Sequence, residues 1–139
     1  MDEVQTEILL DEAKYDYVID AIDTISPKIA LLTGCLKRKI KVISSMGAGG
    51  RIDPTRIAYA DISETYHCAL AKAVRKRLKD AGISKGIKVV FSSEQPDRNA
   101  IIRTDEERNK KSTVGTISYL PAIFGCYLAA YVIRKLSQK

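Results

Sequence analysis

The side chains best suited to chemistry in this sequence are two aspartates near the end of an apolar run. Asp20 lies within the run Tyr17 to Ile22, and Asp23 directly follows it. In an open α/β sheet, ligands bind beyond the carboxyl ends of the strands, so an aspartate there can hold a metal ion or a ribose. An aspartate at a strand–helix junction also commonly caps the backbone. Spacing leaves both readings of Asp23 open and ranks Asp20, which sits inside the strand pattern, below it as a ligand.

A second candidate is the loop Gly47, Ala48, Gly49, Gly50, Arg51, which follows the run Ile40 to Ser45. Glycines there let the backbone approach a substrate closely, and Arg51 offers a forked cation to a carboxylate or phosphate. A tight turn with a solvated arginine fits the same residues, and no Walker-type phosphate loop is present. Third, Lys72, Arg75, Lys76, Arg77 and Lys79 place five positive charges within eight residues, and Asp80 is the sole acid between 66 and 90. Such a stripe suits a row of phosphates, each contact steepening the salt dependence of binding, and it suits a solvated helix back equally well. His67 stands alone, without a neighbouring acidic or cysteine pattern, and reads as structural. Cys68 beside it needs an activating environment to react. Tyr119, Tyr127 and Tyr131 have helical spacing and suit a core or interface better than base stacking.

These residues need elements to position them. The β-branched run Tyr17 to Ile22 predicts a buried strand. Ser26 followed by Pro27 predicts a helix start, with a side-chain cap and then a ring that needs no donor at the first helical position. The helix should run to about Lys39, where Lys37, Arg38 and Lys39 suit the negative end of its dipole. Ile40 to Ser45 reads as the next strand and Arg56 to Ile62 as another. Tyr66 to Ala81 reads as an amphipathic helix, with Leu70, Val74 and Leu78 on one face and Gly82 just past its end. Ile87 to Phe91 reads as a further strand. Residues 95–111 carry nine charges in 17 positions and read as a mobile crossing loop. A last helix should begin near Leu120 and Pro121 and end about Leu136. Residues 1–14 form an acidic, helix-compatible lead-in. Strands alternating with helices make this an α/β fold.

The 139 residues suit one domain with its own core, and 45% hydrophobic content excludes a disordered chain. Net charge is +6, but residues 1–26 hold eight acidic groups and one basic one, so the remainder carries +13. The three cysteines are widely spaced, so no disulfide framework or zinc cluster follows from them, and reduced thiols in the cytoplasm are the simplest reading. The acidic opening residues do not form a signal peptide. The 21 residues from Thr113 to Ile133 lack charge. Pro121, two glycines and three tyrosines make that segment a buried helix rather than a membrane span.

Several motifs together resemble a known family. Asp20-Ala-Ile-Asp23-Thr-Ile-Ser-Pro-Lys28 and Gly47-Ala-Gly-Gly-Arg51-Ile-Asp-Pro-Thr55 are joined by Ala60-Asp-Ile62, Ala71 to Leu78, Val89-Val-Phe-Ser-Ser-Glu94 and Gly115 to Pro121. From about Tyr15 onward this set resembles the tRNA threonylcarbamoyladenosine dehydratases of the ThiF/MoeB/HesA superfamily, which also includes the ubiquitin-activating enzymes. The resemblance implies a Rossmann-like adenylating domain and an ATP-dependent reaction. The threonyl carboxylate on a modified tRNA adenosine would be joined to AMP and then cyclised with loss of water. It also implies that Asp23 is the magnesium–ATP carboxylate, and position beside it suggests that Gly47, Gly49, Gly50 and Arg51 border the adenylate. The helix bearing Lys72, Arg75, Lys76 and Lys79 would meet tRNA, and the apolar last helix suits a homodimer.

The family domain opens with a strand, a Gly-x-Gly-Gly-x-Gly loop and a helix that cradle the nucleotide. Residues 1–14 do not match that pattern. The expectation is therefore an incomplete domain, matching the C-terminal portion alone, that binds ATP poorly unaided. Relatives that pass on a carrier protein or sulfur use a cysteine in the crossing loop, and residues 92–118 contain none. That favours the dehydratase branch and argues against Cys68 or Cys126 as nucleophiles. An adenylyltransferase for a sulfur-carrier or ubiquitin-like protein and a non-catalytic half-domain used for dimerisation or binding are the two alternatives.

Overall fold

A computed structural model describes residues 2–96 and 119–138. The expected crossing loop lies, from residue 97 on, outside them. Four strands form one sheet in the order β1-β2-β4-β3, with β1 (Val18–Asp20), β2 (Val42–Ser45), β3 (Ile57–Asp61) and β4 (Lys88–Ser92). β1, β2 and β4 run parallel, and β3 closes one side antiparallel to β4. The described helices are α1 (Glu3–Glu12), α2 (Ile25–Lys37), α3 (Ala69–Asp80) and α4 (Tyr119–Ser137); α2, α3 and α4 cover the sheet and α1 packs on α2.

Alternation along the central strands produces two cores. Val42, Val89 and Phe91 face α2 and α3, while Ile43 and Val90 face α4 through Leu120, Phe124 and Leu128. Successive strand side chains point to opposite faces, so a strand covered on both sides must be apolar throughout. Each fully buried leucine or isoleucine contributes about 1.5–3 kcal/mol.

Local chemistry sets where the helices end. α3 stops in a Schellman arrangement: Ile83 N–H reaches Leu78 O at 2.8 Å and Gly82 N–H reaches Lys79 O at 2.9 Å. Gly82 takes φ 81° without a side-chain penalty. α2 ends the same way, with Ile40 N–H on Cys35 O, but its left-handed residue is Lys39 at φ 57°.

Several boundaries differ from expectation. α2 begins at Ile25 with Thr24 as its cap, and Thr24 makes no side-chain capping bond. Ser26 and Pro27 therefore lie inside the first turn, where an absent N–H loses no intrahelical partner. α3 begins three residues later than Tyr66, because His67 is left-handed at φ 54° and Cys68 forms the cap. The lead-in, in contrast, forms a helix as its composition allowed: α1 carries a capping box between Asp2 and Gln5, and it buries Thr6 and Leu10 against α2. Gly34 permits that approach, since a Cβ there would lie 2.6 Å from Leu10 Cδ1. Arg38 then bridges Glu7 and Asp11. Its hydrogen bonds hold both carboxyls below their usual range.

The last helix is not fully buried. Leu120, Phe124 and Leu128 form its inner stripe, while Ile133 and Leu136 are at least half exposed. Among the described residues no helix is long and apolar enough to cross a membrane.

Candidate functional site

Beyond the carboxyl ends of β1 and β2 lies a cleft of about 620 Å³. Asp23, Gly47, Gly49, Gly50 and Arg51 all line it, together with Cys68, Ala69 and Leu70 at the start of α3. Residues nearly thirty positions apart in the chain thus meet at the place where an α/β sheet binds ligands.

Asp23 is exposed and makes no hydrogen bond or ion pair with another described residue. It does not serve as the cap of α2, where Thr24 holds the N-cap position. Asp20 has a different fate. Its side chain is fully buried, with Oδ2 2.8 Å from Lys28 Nζ and 2.5 Å from Ser44 Oγ, and with Oδ1 accepting from Ile22 N–H at 2.9 Å. The carboxylate is committed internally, which removes it as a candidate ligand.

Lys28 went unnoticed as a candidate in the sequence, yet it braces the cleft. Its ammonium is fully buried and donates to Ile22 O at 2.6 Å and Ser45 O at 2.8 Å, besides Asp20. Three donors therefore meet three acceptors, and they tie the end of β1 to the end of β2. The readable signal was a lysine opening the apolar run Lys28 to Leu32 on a helix covering the sheet. A buried lysine needs a carboxylate, and Asp20 was the nearest one in an apolar strand.

The glycine loop is held from several sides. Met46 N–H donates to Val90 O at 2.9 Å. Glu94 accepts from Ile52 N–H at 2.7 Å and from Asp53 N–H at 3.2 Å. Arg51 donates to Gly49 O at 2.8 Å and also to His67 O. Gly50 adopts φ 74°, a left-handed conformation that calls for glycine.

Other candidates divide. His67 Nδ1 lies 3.0 Å from Ser93 O and serves the turn before α3. Cys68 is buried, and its Sγ caps α3 by accepting from Ala71 N–H at 3.4 Å. Burial, reinforced by the Asp20 charge, pushes the Cys35 thiol up to about 11, which leaves it protonated at neutral pH. Lys72, Lys76 and Lys79 are exposed on α3, but Arg75 turns inward to Thr65, donating to its carbonyl at 2.9 Å and to its hydroxyl. Tyr127 and Tyr131 pack on Tyr59, with ring centroids 5.3 Å apart in both cases.

Magnesium characteristically binds through one or two carboxylates plus the phosphates of a nucleotide. Asp23, exposed at a strand end and bonded to no other described residue, fits that demand. Among the described residues no group of three or more metal-ligating side chains forms a site independent of a nucleotide.

Comparison with known proteins agrees with this architecture. The chain is 43% identical over 128 residues to the tRNA threonylcarbamoyladenosine dehydratase of Bacillus subtilis, covering 87% of this chain and 50% of that protein. It is 35% identical over 142 residues to the Escherichia coli enzyme of the same name, covering 90% and 53%. The crystal structure of E. coli tRNA N6-threonylcarbamoyladenosine dehydratase with AMP superposes with a TM-score of 0.81 at 32% identity, covering 97% of this chain and 53% of that one. A structure of that protein with ATP gives the same TM-score of 0.81. The chain spans about half the length of these relatives. The sequence profile of the ThiF family matches residues 2–139, and with a mixed sheet of the same type the chain belongs to the ThiF family.

Proposed function

We propose that this chain is the acidic and substrate-side portion of an ATP-dependent tRNA-modifying enzyme, one that adenylates and then cyclises threonylcarbamoyladenosine in tRNA. The carrying observation is one cleft lined by the exposed Asp23 and by the Gly47–Arg51 loop. Relatives at 43% and 35% identity bear the dehydratase name, and the solved relative holds AMP or ATP.

A carboxylate oxygen is a poor leaving group until it is joined to phosphate. ATP, as co-substrate with magnesium, supplies the activated phosphorus. The substrate carboxylate oxygen forms a bond to the α-phosphorus as pyrophosphate leaves. A nucleophilic atom of the carbamoyl group then attacks the acyl carbon, AMP departs with the carboxylate oxygen, and the proton lost from the carbamoyl group goes to solvent. Asp23 would hold the metal, and the Gly47–Arg51 loop would border the reacting carboxylate. Lys28 keeps both in place by tying Ile22 O to Ser45 O. Lys72, Lys76 and Lys79 would meet tRNA phosphates, the exposed apolar face of α4 would join two copies in a homodimer, and the cytoplasm would house the reaction.

The complete protein is expected to release AMP when given ATP, magnesium and tRNA carrying threonylcarbamoyladenosine, and not with tRNA lacking that modification. Pyrophosphate exchange driven by a sulfur-carrier or ubiquitin-like protein, without response to modified tRNA, would sink this reading in favour of an adenylyltransferase. Reversing Lys72, Lys76 and Lys79 to glutamate should weaken tRNA binding. It should also reduce the slope of log affinity against log salt by about 2–3, at roughly 0.7–0.9 per phosphate contact. An unchanged slope in a filter-binding titration would return these lysines to a solvated helix face.

A further inference from the structure

Arg51 is 4% exposed, and among the described residues no carboxylate lies within ion-pair distance of it. Its two hydrogen bonds go to the neutral carbonyls of Gly49 and His67, and Nε has no partner among the described residues. Burying a cation without a counter-charge is costly, so an arrangement of this kind calls for an anion supplied from elsewhere. Arg51 lines the cleft described above, and so do Ala69 and Leu70.

Those two residues open the 12-residue helix α3. The Ala71 N–H is taken by Cys68 Sγ and the Lys72 N–H by Cys68 O. The N–H groups of Ala69 and Leu70 have no intrahelical partner, and the helix dipole adds positive potential at the same end. A buried guanidinium with no counter-charge among the described residues and a helix N-terminus therefore meet at the cleft, two features that favour the same charge.

We propose that Arg51 and the first turn of α3 form an oxyanion subsite that takes the carboxylate of the substrate, a deepening that rests on the carboxylate-activating reading above. The cleft then divides its two charged groups between two tasks. Asp23 enters after β1 and suits the metal-bearing phosphate end, since a bare carboxylate repels a naked anion. Arg51 and α3 hold the group to be activated. A planar, singly charged carboxylate matches one guanidinium in charge and in forked geometry, whereas a triphosphate would leave most of its charge unmatched here.

The test uses ¹⁵N-labelled full chain and three probes: N-carbamoyl-L-threonine, its uncharged carboxamide, and inorganic pyrophosphate. The carboxylate should shift the amide signals of Ala69 and Leu70 and the side-chain Nε–H of Arg51, with the carboxamide at least tenfold weaker. Arg51→Gln should weaken carboxylate binding by tenfold or more, and Arg51→Lys by less, because charge survives but the fork does not. Should Arg51→Gln fail to fold, the comparison of carboxylate with carboxamide on the unaltered chain decides. Equal binding of those two, or shifts confined to other residues, overturns the subsite. Pyrophosphate shifting the same signals at lower concentration overturns its assignment to the substrate carboxylate. Failure here leaves tRNA-dependent AMP release by the complete protein standing. Conversely, loss of that activity would not alter binding of a small carboxylate.

Discussion

Replacement of Lys28 by methionine is expected to cost the folded chain about 3–5 kcal/mol, the range for removing one partner of a buried ion pair. Methionine fills similar volume, so lost packing contributes little. The cost comes from Asp20, left fully buried with only Ser44 and Ile22 to bond. Position sharpens the argument. Lys28 sits in the first turn of α2, where the helix dipole disfavours a cation. Lysine is tolerated there because three acceptors surround it: the Asp20 carboxylate, Ile22 O and Ser45 O. Adding Asp20→Asn to Lys28→Met removes the stranded charge and should recover more than half of the loss. Urea unfolding measures both effects as a shift in midpoint at unchanged slope. A single-variant loss below about 1 kcal/mol would mean that the pair is not the brace described.

How much of this was legible beforehand follows the reach of each interaction along the chain. β2, α2, β4 and the end of α3 rest on local signals, namely apolar runs, helical spacing and Gly82, and the structure places them within a residue or two of expectation. The start of α3 was overshot because the left-handed turn at His67 depends on a contact with Ser93, 26 residues away. The helix-compatible reading of residues 1–14 agrees with α1, but its docking on α2 left no local mark, because it buries only Thr6 and Leu10 and its charges answer Arg38 from 27 and 31 positions away. The site shows the same division. Asp23 and the glycine loop were visible as residue types at strand ends. The pinning of Ile52 and Asp53 by Glu94 spans about forty residues and leaves no local mark. Arg75 looked equivalent to its basic neighbours until Thr65 claimed it. Lys28 was the readable omission, since a lysine in an apolar helix face already demands a buried carboxylate.

Asp23→Ala is expected to lower adenylation in the complete protein by about a thousandfold while leaving the fold almost untouched. The two halves of that expectation have separate grounds. Asp23 is exposed and bonds to no described side chain or backbone group, so its truncation should change stability by no more than about 0.5 kcal/mol. A carboxylate that holds a metal against transferring phosphate supports several kcal/mol of charge stabilisation, and roughly 4 kcal/mol corresponds to a thousandfold in rate. ATP–pyrophosphate exchange at saturating modified tRNA reads the rate, and thermal unfolding reads the fold. Asp23→Asn should fall with alanine, because the amide keeps the shape but loses the charge. Raising magnesium should restore part of the rate to Asp23→Asn, a response that a residue with a purely structural role would not give. Near-normal exchange in the alanine variant would remove Asp23 from the site and leave the cleft without its acidic end.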